Sequence, residues 1–136
     1  MNNKVVISSS FEKDVMLKLF SNQKFFFTNF TPFIIVNEEN ENVFYIYGEL
    51  YSIFSAFDVE ARVRKYVSTE SVTYILILQP GLISQTLDRL IDRSYKGVPP
   101  KGNGKIIINV TEEKIEISVD YEGDKEKVIV NSIIKK

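Results

Sequence analysis

The chain contains neither cysteine nor histidine. Without cysteine there is no disulfide framework, no thiolate nucleophile and no zinc–thiolate site. Without histidine, the commonest general base near neutral pH and the commonest transition-metal ligand are missing, and a serine or cysteine triad of the usual kind is excluded. The remaining carboxylates, lysines and tyrosines fall into no catalytic motif. The pair Glu112-Glu113 sits in a turn-like TEEK, open to water, where nothing tunes it for proton transfer. Long apolar runs are absent too: none approaches the ~20 residues of a membrane-spanning helix. The opening MNNKVVISSSFEKD has no extended apolar core and no cleavage site of a secretory signal, so a cytoplasmic protein is expected. Charge of one sign is equally scarce. Seventeen Lys and Arg against eighteen Asp and Glu give a net charge of −1. The basic residues are interleaved with acids, which argues against a nucleic-acid partner. The PPKGNGK stretch lacks the spacing of a phosphate loop and precedes a strand, not a helix N-terminus. No cofactor, metal or catalytic residue is expected, and binding is favoured over catalysis.

What is present is apolar patterning. The 136 residues are 44% hydrophobic and 26% charged, as in ordinary globular proteins, and are read as a single domain, 1–136. KVVIS (4–8) is a β-branched strand. Ser9 and Glu12 are spaced as a capping box for a helix whose apolar stripe runs through Phe11, Val15 and Leu19, with Met16 and Phe20 beside it. Ser21-Asn22 ends that helix. SNQKFFFTNFTPF (21–33) then packs five of the ten phenylalanines into thirteen positions, in a second short helix that Pro32 stops. From Phe33 the chain alternates as half-buried antiparallel strands, the first of which, PFIIV, runs into a polar turn, NEENEN. Phe44, Ile46 and Leu50 share one face; Phe57, Val59, Ala61 and Val63 point inward while Asp58, Glu60, Arg62 and Arg64 point to water. Val72, Tyr74, Leu76 and Leu78 continue the inner set. PGLISQTLDRLIDRSYKG returns to helical spacing, with Ile83, Leu87, Leu90 and Ile91 on one face of a helix at 82–96. Two further strands follow, the second carrying Ile115, Ile117, Val119 and Tyr121 on one side. The charged start of the last segment suits a short helix and its β-branched residues suit a strand; helix is preferred.

The stretch SSSFEKDVMLKLFSNQKFFFTNF, residues 8–30, followed by a strand meander, resembles the helix-grip superfamily. That group includes START lipid-transfer domains, birch-pollen-allergen-like proteins and polyketide cyclase-like proteins. The composition, rich in Ile, Lys, Glu and Asn, is similar to that of small archaeal members. The resemblance implies an α+β fold, a curved antiparallel sheet packed around helices, with an apolar cavity for a lipid, fatty acid, isoprenoid or aromatic ligand. It carries over no catalytic residue. One departure is plain: the long amphipathic helix at 82–96 precedes the last two strands, whereas the family closes its sheet with a C-terminal helix.

Two functional readings follow. In the first, a pocket lies between the inner sheet face and helix 82–96, lined by Phe44, Ile46, Phe57, Val59, Tyr74, Leu76, Leu87, Leu90 and Ile91, with Phe26 and Phe30 near its mouth. A buried Tyr74 phenol would need a hydrogen-bond partner, which a ligand or water could supply. In the second, the core is filled and the chain is a protein-interaction module, such as a homodimer, using an aromatic surface. Three consecutive residues, Phe25 to Phe27, cannot all point inward from one helix, so at least one faces a groove, a partner or solvent.

Overall fold

The computed structural model describes residues 1–9, 11–53, 56–83 and 98–134. Among them the chain forms seven strands and three helices. They are β1 (Asn2–Ser8), α1 (Lys13–Ser21), α2 (Gln23–Phe30), β2 (Ile34–Asn40), β3 (Val43–Tyr51), β4 (Ala56–Val67), β5 (Ser71–Leu78), β6 (Gly102–Val110), β7 (Lys114–Gly123) and α3 (Glu126–Ser132). The strands make one antiparallel sheet in the order β1-β7-β6-β5-β4-β3-β2. Its register carries each inward set across the sheet. Ile46 lies beside Ala61, Ala61 beside Leu78, Tyr74 beside Ile106, and Ile106 beside Val119.

The sheet is strongly curved, and α3 shows by how much. β3 and β7 are separated by three strands, which in a flat sheet would hold them ~19 Å apart. A seven-residue helix is only ~10 Å long, yet α3 touches β7, β3 and β1. The inner face is therefore concave. The last segment is helical because Ile129, Val130, Ile133 and Ile134 bury one stripe against that face. At the opposite end of the concavity, α1 packs on β5 and β6, and α2 on β2. Gly48 in β3 leaves room for the Phe33 ring, whose Cδ1 would stand 2.5 Å from any added Cβ.

Three expectations are corrected. The capping box does not form: Ser9 donates its N–H to Glu113 O, extending the β1–β7 pairing, and its hydroxyl bonds Phe11 O. Helix α1 accordingly starts at Lys13, and Phe11 (63% exposed) and Val15 point to solvent while Phe20 is buried. The polar run after Val36 is not all turn. β2 continues to Asn40, with register shifts between Ile35 and Asn37 and between Glu38 and Asn40 absorbing the mismatch. Finally, Asp58 and Glu60 do lie on the convex face, but they are buried. The chain leaving β5 folds over them: Gln79 N–H bonds Glu60 O, and the Glu60 carboxylate accepts the N–H groups of Gly81 and Ile83, all at 3.1 Å. Gly81, at φ 87°, allows the turn. Most of the expected helix 82–96 lies outside the described residues.

Candidate functional site: the concave apolar face

The candidate site is the concave face and the aromatic layer against it. Phe44, Ile46, Phe57, Val59, Tyr74 and Leu76 all lie on this face, each buried. Alternation placed them there: each is an inward residue of a half-buried strand. Leu87, Leu90 and Ile91 lie outside the described residues. The Leu82–Ile83 start of their segment stands over the convex side, where Glu60 holds it.

Helix α2 lays its phenylalanines on the sheet. At 100° per residue, Phe26 and Phe27 point inward and Phe25 to the side. Phe26 stacks on Tyr74 at 5.2 Å and nearly parallel, while Phe27 meets both Tyr74 and Phe44 edge-on. Phe30 is half-buried, stacked on Phe26 and tilted against Phe20. Phe25, also half-buried, touches Phe20 and Phe30 edge-on. Of the three consecutive phenylalanines, Phe25 is thus the one that reaches the rim. Sequence reasoning left out Phe20, Phe27, Ile106 and Tyr121, which belong to the same buried set. Phe20 was legible as the inward side of α1; Tyr121 and Ile106 were legible as alternating strand positions.

The polar bonds of this layer are few and specific. A helix leaves its last carbonyls without intrahelical donors. Here the sheet supplies them: Tyr74 Oη donates to Phe20 O at 2.6 Å, and Lys65 Nζ to Ser21 O at 2.7 Å. The phenol's partner is therefore a helix end. Burial pushes the Tyr74 hydroxyl well above the usual tyrosine range and holds the Lys65 ammonium below the usual lysine range. Both shifts follow from removing the charged form from water.

Two open hollows among the described residues lie outside this layer. One of about 590 Å³ runs between α2 and β2, lined by Lys24, Thr28, Ile34, Ile35, Val36, Asn37 and Glu38. Another, of about 600 Å³, lies beside Phe11, Lys13 and Glu112. No helix among the described residues is long and apolar enough to cross a membrane.

Comparison with solved structures finds the same architecture. A hypothetical protein from Sulfolobus tokodaii superposes with a TM-score of 0.61 at 18% identity, over 93% of this chain and 76% of that one. DR_A0006 from Deinococcus radiodurans gives 0.53 at 7% identity, over 96% and 89%. Human STARD10 gives 0.55 at 12% identity over 96% of this chain, which spans 55% of the STARD10 chain. A protein-family model also matches residues 1–136, the whole chain. The chain has the helix-grip fold. A search of curated proteins returns no match. Within the helix-grip fold, α3 is the helix gripped by the curled sheet. The departure noted in the sequence is thereby resolved: the closing C-terminal helix is present, though only seven residues long.

Proposed function

We propose that this helix-grip chain binds an apolar small molecule (a lipid, fatty acid, isoprenoid or aromatic compound) against the concave face. The observation that supports it is the apolar continuity of that face. Its buried residues, from Phe44 to Tyr121, form one hydrophobic set, and the α1–α2 pair covering one end is held by aromatic contacts and few polar bonds. Phe44, Ile46, Phe57, Val59, Tyr74 and Leu76 would line the ligand, with Phe26 and Phe30 on the covering side and Leu87, Leu90 and Ile91 as the remaining candidates. Because the described lining is closed to water, the ligand enters by displacing side chains of the α1–α2 layer. Burying ~200 Å² of apolar ligand surface is worth ~5 kcal/mol before ordering costs.

The test is native mass spectrometry on gently purified protein, followed by organic extraction. A discrete added mass that extracts as a lipid or isoprenoid supports the reading and names the class. A clean monomer mass that stays unshifted when decanoate is added overturns it. A second reading, a filled core that acts through its surface, is favoured by the interlocked rings that leave Phe25 and Phe30 at the rim. It predicts a dimer mass that Phe25→Ser converts to monomer.

A further inference from the structure

A polar hollow lies at the margin of the aromatic layer. It measures about 420 Å³, where one water takes only ~30 Å³. Its walls come from the start of α2, the end of β2 with the turn that follows, and β4. They carry four charged side chains, two of each sign: Lys24 and Lys65, Glu38 and Glu41. Among the described residues no apolar side chain lines it. Hydrogen bonds fix the walls to one another. Gln23, itself buried, donates its side-chain N–H to Glu41 O at 3.1 Å and accepts from Lys65 Nζ. The Lys65 backbone N–H bonds Asn42 O, and the Asn40 side chain accepts the Asn42 N–H, both at 2.8 Å. The turn is thus held from two sides, and the half-buried Lys65 ammonium is tied down by Ser21 O and Gln23.

The four charges do not close on one another. Elsewhere on the surface opposite charges meet directly, as Lys4 does with Glu116 at 2.8 Å and Lys13 with Glu70 at 3.2 Å. Around this hollow, among the described residues, no ion pair joins either lysine to either glutamate. We infer that the hollow binds the zwitterion of a small polar α-amino acid, its carboxylate on Lys24 and Lys65 and its ammonium on Glu38 and Glu41. A simple anion or cation would meet its own sign across the hollow, whereas a zwitterion answers both signs at once. The carboxylate belongs at the start of α2, where the positive end of the helix adds to the two lysines. Charge-assisted hydrogen bonds of this kind are the strong class, and walls fixed in advance lower the ordering cost of binding. A large apolar side chain would find nothing to pack on, so the amino acid is a short polar one. The inference goes beyond the apolar-ligand reading and does not depend on it, since none of the four charged residues belongs to the lining proposed above.

The test is an NMR titration of isotope-labelled protein with L-serine, read at the Gln23 side-chain amide and the Lys24 and Glu41 backbone amides. Two further probes each carry half of the charge: ethanolamine, which is serine without its carboxylate, and β-hydroxypropionate, which is serine without its ammonium. The expected result is saturable shifts with L-serine, and binding at least about tenfold weaker for either half, the worth of a hydrogen bond to a charged group. Lys24→Gln and Glu38→Gln, both at exposed positions, should keep the thermal transition and weaken L-serine by a similar factor. The inference is overturned if L-serine gives no saturable shift, or if either half binds as tightly as the whole. It is also overturned if both variants bind L-serine as the unaltered chain does.

Discussion

Tyr74 does the most at the scale of one residue. Its ring is sandwiched into the phenylalanine layer, and its hydroxyl supplies the donor that the buried end of α1 lacks. Removing only the oxygen, in Tyr74→Phe, leaves the Phe20 carbonyl buried without that donor. The expected cost is about 1–3 kcal/mol in denaturant unfolding at neutral pH. The pH dependence has a definite sign. The folded state holds the Tyr74 phenol above its ordinary 10.0, and Tyr121 is pushed up to about 12, in both cases mainly by burial. Both therefore bind their protons more tightly when folded. Their contribution is intact below pH 10.0 and is lost as pH rises through the shifted values. Tyr74→Phe should flatten that alkaline decline; an unchanged alkaline midpoint would contradict the assignment.

Among the elements, the chain leaving β5 is fixed by a single side chain. Glu60 binds the N–H groups of Gly81 and Ile83 with separate carboxylate oxygens, so its removal frees two amides at once. Glu60→Ala should speed hydrogen exchange at Gly81 and Ile83 while leaving the amides of β6 and β7 protected; equal loss everywhere would mean global destabilisation instead. This latch was not legible in the sequence, and the reason is physical. Alternation along AFDVEARV gives the direction of each side chain, because pleated strands repeat every two residues. It says nothing about what later covers the outward side, and here the cover arrives some twenty residues downstream. The same logic separates the other outcomes. The inward sets of β3, β4, β5 and β7 could be read because one face of each is buried and the other is wet. The start of α1 could not, since Ser9 had a better use in pairing with Glu113 than in capping a helix. For the Phe-rich stretch, the sequence showed that one ring must reach the rim, and the α2 packing made it Phe25.

On the scale of the whole molecule, the fold is a curled sheet whose concave side carries a continuous buried apolar core, with polar residues such as Lys65 and Glu38 towards its margins, filled at one end by α1 and α2 and gripped at the other by α3. The fold was legible because the order of strand, two helices and meander is itself a sequence feature. The ligand was not, because apolar recognition needs only area and shape and leaves no motif. The measurement that bears most directly on the central claim is a methyl-labelled NMR titration with decanoate. The account predicts saturable shifts at Ile46, Val59 and Leu76 on the concave face, with Val6, Ile75 and Ile77 on the convex face unmoved. Shifts confined to the convex methyls, or none at saturating decanoate, would contradict it.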